Sequence, residues 1–461
     1  MTPLFSALLD ALDRRMHLSG PTKKAANKVF PANWSFLLGE VAMISFAVLV
    51  LTGIFLTLFF RPAVDPVVYT GANEFFADVE LPAAFESVVR LSTDVPGGLL
   101  MRRIHRAASH LFIASMILHM LRILLTGAFR KPREVNYYVG VGLLTMVLGE
   151  GFLGYSLPYD SLAGTGIRVM YSIILSIPFV GENVAFWIFG GEFPGEAIIP
   201  RFYALHVFVL PLLLAALIGA HVFILVRQKH TQMPRPDVDG HSYVVGKPLW
   251  PGQAAESTTL VLWIGGLLAL SATIIPWSDV ELLGPYLPGE VGNNAQPDWF
   301  LFWTDGLLRA IPAFELNILG TTINSLFVAG ALIPGVLFGL LFAYPTLERK
   351  VYGLKGEWHV LTNPLDIPLR AAMVMGTFSF VLLASANATN DIISRMVGIP
   401  IEDLVFVFRL LMVFAPPLLA FGVYRYARRR LDAVGTDVAQ TEEEAESRFQ
   451  YVGMGDPEPA E

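Results

Sequence analysis

Four histidines set in apolar stretches are the residues best placed to do chemistry. His105 and His119 lie 14 residues apart in one stretch, about 21 Å of helix, with side chains within about 40° of the same face. His206 and His221 lie 15 apart in another, about 22 Å with a net rotation of about 60°. Pro211 falls between them and can distort a helix enough to absorb one extra residue. With the two helices antiparallel, His105 should face His206 near one membrane surface and His119 should face His221 near the other. A lone intramembrane histidine can simply bond a neighbouring carbonyl. Four in two matched pairs point instead to ligation, because ionisable groups in apolar spans are costly and usually functional. Bis-imidazole coordination of haem iron would use all four, and with both axial positions closed such haems carry electrons rather than bind oxygen.

Glycines repeat the period. Gly39 and Gly53, and again Gly140 and Gly154, are 14 apart, as though two helices must let two flat rings approach their backbones. Either pair alone would be weak, since glycine is common in membrane helices. Arg102 lies three residues before His105, Arg122 three after His119 and Arg201 five before His206. They are either snorkelling interface residues or partners for haem propionates. His110 fits neither pair and reads as structural.

The elements that must position these groups are membrane helices. The chain has 461 residues, 54% hydrophobic and 15% charged, without cysteine; its mean hydropathy is +0.56. Soluble domains are about 25% charged. Missing cysteine excludes disulfides, Cys-ligated zinc, iron–sulfur clusters and covalent c-type haem within this chain. The net charge of −7 argues against a nucleic-acid partner. Apolar segments at 36–60, 103–127, 136–156, 201–226, 258–276, 322–344, 370–388 and 402–424 are each long enough to cross a bilayer core of about 30 Å. Continuous apolar runs such as 44–60 exclude a barrel. The expected fold is therefore all-α, a polytopic protein with eight transmembrane helices. Of 32 Lys and Arg, 22 fall at one side, which places both termini in the cytoplasm. The opposite loops, from Asp65 to Glu290, are acidic, either from simple solvation or to dock a basic electron carrier. No signal peptide is visible. Leu4, Phe5, Leu8, Leu9, Leu12 and Met16 form either an amphipathic surface helix or an ordinary packing helix. From about Asp432 onward the chain reads as a flexible acidic tail.

Three further stretches carry a family resemblance: GYSLPYDSLAGTG (Gly154 to Gly166), PDWF (Pro297 to Phe300) and RQKHTQ (Arg227 to Gln232). With the paired histidines and glycines, they make nearly the whole chain resemble the cytochrome b subunit of the quinol:cytochrome c reductase complex, most closely its actinobacterial form. The resemblance implies a cytoplasmic segment 1–35, a dihaem four-helix bundle and connection 36–247, a C-terminal four-helix region 248–430 with an outer quinol loop, and the tail 431–461. It implies two low-spin b haems and a quinol substrate, in this branch menaquinol. Asp298 takes the place of the glutamate in the usual Pro-Glu-Trp-Tyr motif as proton acceptor, beside Trp299, and Phe300 replaces the tyrosine. Thr304 and Asp305 would bind quinone or relay the proton. Trp34, Ser35, Arg227 and His230 would meet near the His119/His221 haem at an inner quinone site, although His230 also reads as a plain loop histidine. Implied partners are a Rieske-type iron–sulfur protein, a cytochrome c or c1-like subunit, membrane lipid and a second copy of the chain, with a terminal oxidase as a further associate. The implied location is a bacterial plasma membrane. The alternative is a dihaem anchor of a dehydrogenase or hydrogenase, which needs only about four or five spans; the last four spans and PDWF speak against it. A secondary transporter would account for the hydrophobicity and for Glu150 but not for the repeated period.

Overall fold

The computed structural model describes residues 26–434 apart from 32, 229, 234–245, 278, 291–295 and 319, together with positions 15, 20 and 23. The proposed N-terminal surface helix and the acidic tail beyond 434 lie outside the described residues.

Eight helices are long and apolar enough to span a membrane: Trp34–Thr57, Gly98–Thr126, Glu134–Ser156, Ile198–Gln228, Leu249–Ile274, Ser325–Tyr352, Pro368–Asn387 and Ile401–Ala433. Each matches an expected segment. The second begins five residues earlier than hydropathy indicates, because Arg102 and Arg103 continue the helix and find carboxylate partners in Glu281 and Asp279. The eighth runs on past 424, since no glycine or proline stands between there and Gly435. Gly127 ends the second span at φ 71° and Gly353 ends the sixth at φ 63°, a left-handed cap that side chains rarely adopt.

Consecutive spans run back and forth between two faces. On one, Val29–Pro31 pairs with Gly246–Pro248, and Trp358 donates its backbone N–H to the Lys131 carbonyl. On the other, which carries Asp298, Pro66–Val68 pairs with Glu80–Pro82, Glu315–Ile318 pairs with Thr321–Asn324, and the Tyr286 N–H donates to the Tyr159 carbonyl. The third span is the most enclosed, 44% buried against 6% for the fourth and sixth, because it packs against the second, fourth and sixth. Outward residues such as Leu51, Leu212 and Phe223 are exposed, as a lipid-facing surface requires. The fifth span, grouped by sequence with the C-terminal region, lies against the first and second, where Ile264 and Leu268 pack on Ala107 and Ala108.

The fourth and sixth spans each contain a π-helical turn, Leu205–Val209 and Val328–Leu332. In each, the residue just before a proline donates its N–H five residues back, Leu210 to Leu205 before Pro211 and Ile333 to Val328 before Pro334. Proline has no N–H for the regular ladder, so widening the turn by one residue keeps the remaining bonds.

The two halves are locked on the face opposite Asp298 by a buried charged triad. Glu348 of the sixth span accepts from Arg130, after the second span, at 2.6 Å and from Arg370 of the seventh at 3.2 Å. Glu348 and Arg370 are 4% and 1% exposed. Removing the shared carboxylate takes away the anion that the two buried cations share. Glu348→Ala should therefore destabilise the protein by about 3–5 kcal/mol, read as a lower thermal midpoint in detergent; an unchanged midpoint would show that the triad is not buried as described.

Candidate functional site: two imidazole pairs and a buried carboxylate

His105 and His206 meet across the bundle with ring centroids 6.3 Å apart and planes at 77°. Two imidazoles each about 2.0–2.1 Å from one metal ion place their centroids at just this separation. The hydrogen bonds also select the ligating tautomer. Thr52 donates its hydroxyl to the Val48 carbonyl, so its oxygen accepts from His105 Nδ1, 2.9 Å away. His206 Nδ1 donates toward Glu150, 3.2 Å from its carbonyl and 2.9 Å from Oε1. Both rings thus carry the proton on Nδ1 and keep the Nε2 lone pair for a metal, the arrangement typical of metal-bound histidine. The residues present fit a bis-imidazole iron centre.

Pro211 acts as anticipated, through the π-helical turn that contains His206. One extra residue in that turn compensates the 15-residue interval and brings His206 and His221 toward a common face. His119 and His221 lie within electrostatic reach of one another. His119 Nδ1 is buried with no hydrogen-bond partner among the described residues, and His221 lies against the Asn136 backbone.

Each of the four glycines faces one imidazole. A Cβ at Gly39 would stand 3.4 Å from His119 Cε1, at Gly53 3.4 Å from His105, at Gly140 3.6 Å from His221 and at Gly154 2.6 Å from His206. What the helix backbones accommodate in the structure is therefore the imidazole itself, and only Gly154 leaves no room for a methyl group.

The three flagged arginines have different surroundings. Arg102 pairs with Glu281 at 3.5 Å. Arg201 donates to the Phe186 and Trp187 carbonyls, tying the fourth span to the Gly181–Phe189 helix. Arg122 stacks on Phe36 at 4.2 Å, and its Nε and Nη2 have no partner among the described residues. Near it are buried Ser35, exposed Trp34 and His230, whose ring tilts over Phe30 at 4.7 Å. Burial, then the charges of Lys28, Arg133 and Arg122, hold His230 down to about 4, so it is neutral at physiological pH. Arg227 is not drawn into this group; it is exposed over Phe223 of its own helix.

At the opposite end, Asp298 is 8% exposed. Its Oδ1 accepts from Arg106, and Oδ2 has no partner among the described residues. Burial raises this carboxyl above the usual carboxylate range, while Arg106 pulls it back. Trp299 donates its indole N–H to His110 Nδ1 at 2.9 Å, so His110, which reads as structural, is bonded to this loop. Phe300, 3% exposed, packs over Gly151 beside Ile113, an apolar setting. Thr304 donates to the Leu301 carbonyl at 2.6 Å. Asp305 accepts from Arg309 at 2.9 Å, and Arg309 reaches on to Asn390 and Asp391. Asp160 caps the Ser161–Leu175 helix through the Ala163 N–H and is raised to about 6 by burial. Arg106 and His110 gave no sequence signal because their partners lie 192 and 189 residues away.

Fold and site together define a polytopic membrane protein of the cytochrome b class. A family model described as "Cytochrome b(N-terminal)/b6/petB" matches residues 110–285. The chain is 40% identical over 414 residues to the cytochrome bc1 complex cytochrome b subunit of Corynebacterium diphtheriae, covering 90% of this chain and 76% of the relative. It is 41% identical over 416 residues to that of Mycobacterium tuberculosis (90% and 75%) and 38% over 425 residues to that of Streptomyces coelicolor (91% and 76%). A solved chain titled "Hyperthermophilic respiratory Complex III" shares the fold, with TM-score 0.64 at 20% identity, covering 90% of this chain and 99% of that one. The chain belongs to the family of cytochrome b subunits of cytochrome bc1 complexes. It is a multi-pass membrane subunit of a respiratory oxidoreductase, and b-type haem is the cofactor of its family.

The glycine contacts predict an asymmetry. Gly154→Ala must displace His206 and should cost about 1–3 kcal/mol of stability, whereas Gly140→Ala should be tolerated. Thermal unfolding of the two variants checks this, and equal midpoints would contradict the packing.

Proposed function

We propose that the chain oxidises quinol beside Asp298 and returns electrons to quinone at the opposite face, contributing to proton translocation. Two bound low-spin b haems, one held by His105 and His206 and the other by His119 and His221, supply one-electron relay chemistry across the bilayer. The histidines fix the ligand geometry, and Thr52 and Glu150 hold the outer pair in its ligating tautomer.

The observation that carries this reading is the state of Asp298. One oxygen is anchored by Arg106, the residue directly after His105, and the other is buried and open. A substrate hydroxyl donating to Oδ2 would give its proton to a carboxylate whose affinity for it burial has already raised, which suits a general base. Trp299 borders this position. Thr304 and Asp305, on the Phe302–Ala310 helix just after the loop, are assigned to quinone contact and to relaying the proton outward through the Arg309 and Asp391 group. The inner quinone contacts are assigned to Trp34, Ser35 and His230, with Arg122 beside them and Arg227 at the rim. Arg102 and Arg201 are assigned to the propionate edge of the outer group, within reach of Glu281 and the Phe186 and Trp187 carbonyls.

The substrate we assign, from the actinobacterial resemblance, is menaquinol. The cysteine-free sequence cannot hold an iron–sulfur cluster or a covalent c haem, so the other electron acceptors belong to partners, a Rieske-type protein and a cytochrome c or c1-like subunit. The resemblance assigns the chain to a homodimeric complex in a bacterial plasma membrane, joined to a terminal oxidase, and the basic side of the topology supports cytoplasmic termini.

Reduced-minus-oxidised spectra of the purified complex should show two b-type components, and His206→Leu should remove one while the other persists. Asp298→Asn should keep both and slow quinol oxidation by about a hundredfold or more. One component in the parent protein would overturn the dihaem assignment, and undiminished turnover in Asp298→Asn would remove the proton role.

A further inference from the structure

Three consecutive residues of the loop at the Asp298 face each meet the second span. Asp298 pairs with Arg106, Trp299 donates to His110 and Phe300 packs beside Ile113. Arg106, His110 and Ile113 are spaced i, i+4 and i+7, one stripe along a helix. The contacts differ in kind. The first is a charge pair between a cation and a nearly buried carboxylate. The second is a directional bond from an indole N–H to an imidazole nitrogen, with the His110 ring also lying 5.0 Å from Trp277. The third is apolar, over a glycine where a Cβ would stand 2.8 Å from Phe300. A loop residue shifted by one position would find no matching partner: a carboxylate cannot replace the indole donor, and neither can occupy the apolar slot without losing hydrogen bonds.

We infer that this stripe is a register template: Arg106 and His110 are positioning residues that set where Asp298 and Trp299 stand relative to the imidazole pair, on the helix that carries His105 itself. The inference rests on the reading of Asp298 as proton acceptor and adds the device that aims it. Arg106 holds Oδ1 and so turns Oδ2 toward the substrate space. His110 fixes the indole, and because its Nδ1 accepts, its proton must lie on Nε2. Proton acceptor and electron acceptor are thereby both tied to one helix, so their separation is set by that element. This alignment matters because displacement by about 1 Å can cost on the order of a hundredfold in rate.

The test uses the purified complex, with spectroscopic haem content measured for each variant and the rate of quinol-driven reduction separated into kcat and KM. His110→Phe removes the acceptor while keeping an aromatic ring; kcat should fall about tenfold or more with haem content unchanged. His110→Gln, which restores an acceptor for the indole, should recover most of it. Trp299→Phe removes the same bond from the other side, keeps the bond's test available if His110→Phe fails to assemble, and should give the same loss. Arg106→Gln should lower kcat, and combined with Asp298→Asn it should add nothing beyond Asp298→Asn alone, as expected for residues acting as one unit. If Asp298→Asn slows the enzyme but Arg106→Gln, His110→Phe and Trp299→Phe run at the parent rate, the template is wrong while the proton acceptor stands. If Asp298→Asn has no effect, the underlying reading fails first. Additive losses in the double variant, or no difference between His110→Phe and His110→Gln, would also overturn the template.

Discussion

Holding two pairs of imidazoles opposite one another inside an apolar slab is the constraint on which the other features depend. Each ring must be buried, must keep a lone pair directed inward, and must be matched across two helices whose histidine intervals differ by one residue. The π-helical turn at Leu205–Val209 absorbs that residue, and Pro211 supplies the reason for the turn by removing the N–H that a regular ladder would need. Thr52 and Glu150 settle the outer tautomers, and four glycines open the facing backbones. Each of these is a local solution to one geometric demand.

The same economy governs the charges. An ionised group in hydrocarbon is stable only when paired or useful, and most of those that penetrate this structure are paired across long stretches of chain. Arg102, Arg103 and Arg106 extend the second span toward the Asp298 face and meet Glu281, Asp279 and Asp298. At the other face Glu348 joins Arg130 and Arg370, fastening the N-terminal spans to the C-terminal ones. Of the loop carboxylates that read either as simple solvation or as a docking group, Asp279 and Glu281 pair with arginines at the end of the second span. Asp298 has one oxygen held by Arg106 and one without a partner among the described residues, as Glu150 and Glu348 do; it is set apart by its place in a loop beside Trp299.

The eight spans were legible because hydropathy is written locally and bilayer thickness sets their length. The histidine pairs were legible because helical period converts sequence interval into distance and direction, and Pro211 was legible as the place where the longer interval is corrected. Pairings across the chain were not. Nothing near His110 announces that Trp299, 189 residues on, will donate to its ring, so it read only as structural. Arg201 read as either a snorkelling residue or a propionate partner, and its hydrogen bonds to carbonyls on a helix that hydropathy does not mark were not legible. The fifth span shows the same limit at larger scale: sequence order groups it with the later spans, while Ile264 and Leu268 find their apolar partners on the second span.

An electron cryomicroscopy map of the purified complex in native lipid tests the paired-imidazole assignment most directly. Two flat, iron-bearing densities are expected, one between His105 and His206 and one between His119 and His221, each ligated by both rings. A single such density, or an iron ligated by residues outside these two pairs, would contradict it.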